Sequence, residues 1–313
     1  MDQLKVCFVG IGSIAKRHIR NLRSICNDRG ISLTIDALRR NLKQVDGVDR
    51  IYTSVAELSI DYDVIFITNP TDLHLETLKV LQEHGKHFFI EKPVVTIEQI
   101  NEAKQFSLKP NSVYYVAAPL RYNAIIQWVK DNVDLADVIS VRAISSSYLP
   151  DWRPGQDYRQ TYSAHKDMGG GVSIDLIHEW DYLTYLFGWP ERVLGMIGKK
   201  SSLEIDSDDY AIYIAEYENM IAELHLDYFG RKIIREIEIF MKEDTIIGDI
   251  VGNKINYLKS GESISFKEKR DDYQKKELNY FLDMIIGEVD KENGFQHGIE
   301  VLELTKGRKY QKK

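Results

Sequence analysis

Asp175 and His178 stand three positions apart in the stretch 169–181, GGGVSIDLIHEWD, and present a carboxylate and an imidazole at helical spacing. On a helix of 3.6 residues per turn they share a face, where acid and base can hold one hydrogen bond or one substrate hydroxyl between them. An imidazole with an ordinary pKa of about 6.5 exchanges protons near neutrality, so the pair suits general acid–base work. A polar helix face is also commonly just a solvated one, and the surrounding sequence must decide.

The elements that position this pair lie on either side of it. Three consecutive glycines, Gly169 to Gly171, disfavour a helix and mark a place where something approaches the main chain closely. Residues 172–187 then read as one helix, with Leu176, Trp180, Leu183 and Phe187 toward a core and Asp175, His178, Tyr182 and Tyr185 opposite. Gly188 and Pro190 stop it. The preceding loop, 148–162, reads YLPDWRPGQDYRQTY. Trp152, Tyr158 and Tyr162 offer faces for stacking on a ring, and Arg153 and Arg159 offer forks for a carboxylate or phosphate. Such a loop fits an anionic, ring-bearing ligand, for instance a nucleotide-activated or acidic sugar. It can equally hold its own fold together by stacking and local ion pairs, or make a subunit contact.

Further chemistry sits near the start of the chain. The apolar run 4–9, LKVCFV, suits a strand buried on both faces and leads into Gly10, Gly12, Ser13, Ile14 and Ala15, then a helix over 15–25. Small residues are needed where a turn is tight, where backbone approaches a pyrophosphate, and where a helix aims its N–H groups at the anion. The second strand, 32–38, leaves two candidates for the adenosine ribose. If the strand ends at Asp36, that carboxylate favours NAD; if it ends two or three residues later, Arg39 and Arg40 face the 2′-phosphate position and favour NADP. Because Ala37 and Leu38 continue the apolar strand, the reading leans to the arginines and to NADP, with two solvated loop arginines as the alternative.

A connection through residues 50–52 and a helix at 55–58 leads to a buried strand at 63–68. Asn69, Pro70 and His74 follow in a turn with helix-start chemistry, at the carboxyl edge where a cofactor lies. A helix over 72–84 and a strand over 87–90 end in Glu91-Lys92-Pro93, from which Lys92 can reach a nicotinamide and a substrate oxygen. A helix over 97–106 and a strand over 112–118 complete an alternating pattern, which argues for a parallel sheet covered on both faces.

From residue 120 the pattern changes to a helix at 125–131 and strands of two-residue alternation at 137–148, 210–217, 220–228, 235–241 and 249–258. Runs such as REIEIF describe a one-sided, mostly antiparallel sheet. Helices at 273–286 and 298–304 pack back against the first domain. The expected fold is thus an α/β Rossmann domain, residues 1–119, followed by an α+β domain with an open antiparallel sheet, residues 120–313.

Composition limits the partners. With 313 residues two domains are the default, and a net charge of −7 opposes a nucleic-acid backbone or an anionic membrane. Two cysteines, Cys7 and Cys26, give neither a disulfide framework nor a zinc ligand set, so no metal is expected and a reducing cytoplasm fits. The first apolar segment is too short for a signal peptide or a membrane span, and the basic end 306–313 reads as a solvated tail.

With GIGSIAKRH, TNPTDLH, EKP and GGGVSIDLIHEWD in this order, the sequence resembles the glucose-fructose oxidoreductase and inositol dehydrogenase family, Gfo/Idh/MocA, over nearly its whole length. Gly10, Gly12 and His18 match the first motif, Pro70 and His74 the second, and Glu91, Lys92 and Pro93 the third. Arg121 resembles the arginine that opens the family's second domain, and joins the substrate-site candidates. The resemblance implies a nicotinamide-binding Rossmann domain, a sheet domain that often mediates oligomer contacts, and catalytic positions at Lys92, Asp175 and His178. A homodimer or homotetramer follows as the expected assembly. Many members place four steps between the motif's Asp and His, whereas Asp175 and His178 are three apart.

The expected reaction is reversible oxidation of a secondary alcohol of a sugar by NAD(P). Two alternatives are a glycosidase that retains NAD for transient oxidation and elimination, and a non-enzymatic sensor of dinucleotide or sugar.

Overall fold

Strand β1 (Gln3–Val9) is apolar on both faces, and Val6, Cys7 and Phe8 are fully shielded. Such a strand must lie inside a sheet covered on both sides. The computed structural model describes residues 1–307 and 310–311 and shows that sheet. The chain forms two compact units, Met1–Ala117 with Arg270–Ile299, and Ala118–Lys269 with the residues from Glu300 onward.

In the first unit β1 is joined by β2 (Ser32–Leu38), β3 (Arg50–Tyr52), β4 (Tyr62–Ile67), β5 (Gly85–Ile90) and β6 (Tyr114–Val116). The spatial order is β3-β2-β1-β4-β5-β6, and every pairing is parallel. Helices α1 (Ser13–Asp28), α2 (His74–Leu81) and α3 (Ile100–Ala103) form the crossovers. The sequence reading treated residues 50–52 as a connection; they pair with β2 as an edge strand. Phe8 stacks on Phe66 at 4.3 Å between ring centres, Phe66 on Phe89 at 5.1 Å, and His18 meets the Phe89 ring edge-on at 5.1 Å. This aromatic column fixes one face of α1 against the sheet.

The second unit starts with α4 (Ala124–Asn132), whose Asn123 cap accepts the N–H of Ile125. Its sheet contains β7 (Val138–Tyr148), β8 (Arg192–Gly198), β9 (Tyr210–Glu216), β10 (Ile221–Asp227), β11 (Phe229–Met241), β12 (Thr245–Asp249), β13 (Lys254–Tyr257), β14 (Ser263–Ser265) and β15 (Tyr310–Gln311). Among the described residues their order is β14-β13-β12-β11-β7-β10-β9-β8-β15, antiparallel except where β10 meets β7. β9 alternates strictly between buried Ala211, Tyr213 and Ala215 and exposed Ile212, Ile214 and Glu216. Trp180 packs edge-on to Tyr213 at 5.2 Å on the buried side. Arg270–Ile286, α7, then returns to the first unit, where Asp271 pairs with Arg20 at 2.7 Å and Lys275 reaches Ser24 at 2.9 Å. α8 (Phe295–Leu304) follows.

Several expectations need correction. The helix expected over 97–106 is confined to α3, between turns at 97–99 and 104–105. Residues 172–187 are two helices, α5 (Val172–Asp175) and α6 (His178–Phe187), because Leu176 leaves helical geometry at φ −99°, ψ 31°. No proline or glycine marks that break, so periodicity ran through it; Tyr182, placed on the polar face, is fully buried. Residues 249–258 are not one strand: Asn253 takes φ 54° and the Asp249 carboxylate accepts the N–H of Gly252, which turns β12 into β13. The basic end is not wholly a solvated tail, since residues 310 and 311 pair with Val193 and Arg192 of β8; residues 308, 309, 312 and 313 lie outside the described residues.

Candidate active site

In the first unit the strand order reverses between β1 and β4, the switch point at which open parallel sheets receive ligands beyond their carboxyl ends. Gly10 leaves β1 with φ 81°, and a Cβ there would come within 2.7 Å of Asn69 Cα. Backbone from the turn after β4 thus occupies the space a side chain needs. Thr68 Oγ1 donates to the Gly10 carbonyl at 2.7 Å, and Gly10 N–H donates to Leu38 O at 3.0 Å. Gly12 is different: it caps α1 at φ −93°, and a methyl group there would meet nothing within 4 Å. No side chain caps α1 and no acid lies in its first turn, at Ser13 and Ile14. That cradle fits a dinucleotide pyrophosphate.

Asn69 is held by Thr77, its Nδ2 donating to Oγ1 at 2.8 Å, and Pro70 opens a short turn that carries the chain into α2. His74 is buried between two carbonyls, with Nε2 at 3.0 Å from Asn69 O and Nδ1 at 3.1 Å from Pro93 O. Burial pushes its pKa down against the pull of these carbonyls, which favours the neutral ring. His74 therefore braces the turn after β4 against the segment that follows Lys92. On the other side of Lys92, Glu91 lies 2.6 Å from Nε2 of the buried His18. Burial raises the Glu91 pKa, but the His18 hydrogen bond and the charges of His18 and Lys92 outweigh it and hold the carboxyl below its ordinary range. Lys92 is thus flanked by two buried histidine anchors.

β2 ends at Leu38, and Asp36 lies inside it, 1% exposed, where it accepts the Tyr62 hydroxyl at 2.8 Å. Arg39 and Arg40 follow the strand end; Arg39 Nη1 donates to Lys43 O at 2.8 Å and Arg40 is exposed.

In the second unit, what crowds the glycine run is the chain itself. A Cβ at Gly170 would sit 2.0 Å from Tyr162 O, and one at Gly171, where φ is 133°, would sit 2.3 Å from Asp208 Oδ1. Asp208 accepts the Ser173 N–H at 2.9 Å and so caps α5; burial, opposed by that bond, together with the Asp175 charge raises its pKa. Asp175 ends α5 as a buried group and accepts the Tyr228 hydroxyl at 2.6 Å. The Asp175 charge, with burial, also pushes the Tyr162 phenol upward. Burial and Asp175 do the same to Tyr228. His178 opens α6 and is half-buried, so the helix break separates acid and base onto two elements.

The loop residues divide. Trp152 Nε1 donates to Ser147 Oγ at 2.8 Å, and its ring meets Tyr228 edge-on at 5.2 Å. Arg153 lies over the Tyr162 ring, 5.3 Å from its centre. Trp152, Arg153, Tyr162 and Tyr228 gather beside Asp175. Tyr158 and Arg159 instead hold the loop to Glu204: the Tyr158 hydroxyl accepts the Glu204 N–H at 3.1 Å, and Arg159 pairs with Asp157 and Glu204 at 2.9 and 2.8 Å. Arg121 is buried and bidentate to Asp181, at 2.9 and 2.8 Å. Sequence reasoning missed Tyr228, Asp208 and Asp181 as partners of these groups. Tyr228 read as a strand end, and no spacing rule links it to Asp175, 53 positions away.

Comparison with known proteins fits this geometry. Residues 4–117 match the model of the oxidoreductase family with an NAD-binding Rossmann fold, and residues 126–247 match the GFO/IDH/MocA C-terminal domain. The uncharacterized oxidoreductase YrbE of Bacillus subtilis is 25% identical over 69% of this chain and 64% of its own length. Myo-inositol 2-dehydrogenase of Thermotoga maritima is 23% identical over 59% of this chain and 55% of its own. The matches thus span less than two thirds of either relative. Levoglucosan dehydrogenase in complex with NADH and levoglucosan superposes with a TM-score of 0.82 at 16% identity, covering 97% of this chain and 96% of that one. UDP-N-acetylglucosamine 3-dehydrogenase of Acidithiobacillus ferrooxidans gives 0.73 at 20% identity, over 97% and 96%. At such identities these structures attest the fold. The chain belongs to the Gfo/Idh/MocA oxidoreductase family.

Proposed function

We propose that this member of the Gfo/Idh/MocA family catalyses reversible NAD(P)-dependent oxidation of a secondary alcohol on a sugar or sugar derivative. The observation that carries the reading is the switch-point cradle, open at Gly12 and uncapped at α1, with Lys92 anchored after β5, two strands from β1 in the same sheet. A nicotinamide held there would supply the hydride acceptor or donor. The Lys92 ammonium donates a hydrogen bond to the reacting oxygen and offsets its developing negative charge. His178 takes up the hydroxyl proton, and Asp175, held by the Tyr228 hydroxyl, orients the substrate.

NADP is the favoured cofactor, since Asp36 is committed to Tyr62 inside β2 while Arg39 and Arg40 follow its end. The aromatic and cationic loop beside Asp175 supports a nucleotide-activated or acidic sugar as substrate. Leu194, Met196, Ile212 and Ile214 are all exposed on the sheet of the second unit, with Met196 at 69%, and an apolar face of that kind supports a homodimer or homotetramer. Two buried free cysteines fit a reducing cytoplasm, and no described helix is long and apolar enough to cross a membrane.

The test is the near-ultraviolet absorbance of reduced nicotinamide when purified protein receives NADP or NAD with a panel of nucleotide sugars, acidic sugars and polyols. Reduction with one pair supports the reading. Dinucleotide binding without reduction by any pair would move the assignment to a retained-cofactor glycosidase or a sensor.

A further inference from the structure

Three arginines stand among the substrate-site candidates, and two already have carboxylates. Arg121 is bidentate to Asp181, and Arg159 is shared between Asp157 and Glu204. Arg153 differs, because its Nη1 is buried with no hydrogen-bond partner. A guanidinium remains charged at any working pH, and a buried charged donor without an acceptor is a cost that calls for a missing anion.

The surroundings hold Arg153 in a fixed relation to Asp175. Its guanidinium lies over the Tyr162 ring, whose phenol is raised in pKa first by the Asp175 charge. Its chain neighbour Trp152 is tied to Ser147 and abuts Tyr228, whose hydroxyl bonds Asp175. Both routes from Arg153 therefore end on the same carboxylate. The cation–π contact restrains the guanidinium, which reduces the rotamer freedom lost when its donors meet a planar or tetrahedral oxyanion.

We propose that Arg153 is the anion-recognition residue of the substrate site, and that the substrate carries a carboxylate or phosphate one aromatic ring away from the hydroxyl that Asp175 addresses. This rests on the reading of Asp175 as a substrate-facing group. A uronic acid and a nucleoside-diphosphate sugar share the required oxyanion chemistry, and the experiment separates them.

Isothermal titration of the full chain, saturated with NADP, is carried out with D-glucuronate, UDP-glucose and D-glucose as probes. At least one anionic probe binds about tenfold or more tightly than D-glucose. Arg153→Met removes that advantage while D-glucose affinity and dinucleotide affinity stay put, and Arg153→Lys retains part of it because charge survives without the fork. Preference for glucuronate alone identifies a carboxylate, and preference for UDP-glucose alone a diphosphate. Equal binding of all three probes, or an advantage that survives Arg153→Met, overturns the proposal. Nicotinamide absorbance in the same mixtures keeps the two readings apart. Arg153-dependent binding with no reduction sinks the dehydrogenase reading and leaves the anion site; oxidation of neutral sugars without anion preference does the reverse.

Discussion

Nε2 of His18 lies 2.6 Å from Oε1 of Glu91, and the second carboxylate oxygen of Glu91 accepts the backbone N–H of Lys92 at 3.3 Å. A buried imidazole on α1 thus holds, through one carboxylate, the residue that carries the candidate ammonium. The folded Glu91 pKa is depressed, so the pair's contribution is complete above the ordinary carboxylate pKa and is lost as pH falls through the folded value. His18→Ala is expected to cost about 3 kcal/mol at neutral pH by urea denaturation. The gap to wild type narrows as the solution is acidified below a pH of about 4. A gap independent of pH would mean that His18 acts by packing alone.

Lys92 itself is expected to act on the reacting oxygen rather than on cofactor affinity. Lys92→Met should lower turnover by roughly a hundredfold or more, the scale for losing one preorganised donor to an oxyanion. The dinucleotide dissociation constant, followed by fluorescence, should change little. Comparable losses in both quantities would assign Lys92 to cofactor binding instead.

Gly10 and Gly12 look alike in the motif and are needed for different reasons. Gly10→Ala forces a side chain at φ 81° into Asn69 backbone, 2.7 Å away, and is expected to lower the melting temperature. Gly12→Ala meets open space at a permitted φ of −93°, so the melting temperature of the free protein should move little. Its methyl group occupies the approach to the α1 N-terminus, and dinucleotide affinity should fall about tenfold or more. If Gly12→Ala binds normally, the pyrophosphate lies elsewhere.

The Rossmann half was readable because buried parallel strands are continuous apolar runs, and β2 ends at Leu38 as the apolar pattern required. The break between α5 and α6 was not readable, because Leu176 and Ile177 are ordinary helix residues and the Asp175 partner, Tyr228, lies 53 positions away. The glycine run was correctly read as a close approach, but the approaching groups are the Tyr162 carbonyl and Asp208. Which loop arginine is already neutralised depends on Asp181, Asp157 and Glu204, partners brought in by tertiary structure that composition does not pair.

The position of Asp36 gives a contrast for the cofactor. Replacing Arg39 and Arg40 together by serine is expected to weaken NADP about tenfold or more and NAD only slightly, since a 2′-phosphate loses its cations. Asp36→Asn should leave that preference unchanged and alter stability instead, because its carboxylate accepts the buried Tyr62 hydroxyl. Initial rates at varied NADP and NAD for both variants decide between Asp36 and the arginines as the selective group.

Tyr228 separates a structural from a substrate-facing role for Asp175. Tyr228→Phe removes a buried donor at 2.6 Å from a carboxylate without changing the ring, and is expected to cost about 2 kcal/mol of stability. If Asp175 orients substrate, the loosened carboxylate should also lower turnover of the folded enzyme about tenfold or more, with dinucleotide affinity intact. Tyr162→Phe removes a phenol that the Asp175 charge raises in pKa, on a residue that is itself more exposed, so stability should suffer less for a similar loss of turnover. Denaturation and kcat measured on both variants test the point. Stability losses with unchanged kcat would make Asp175 a buried strut beneath the site, and His178 would then carry the acid–base work alone.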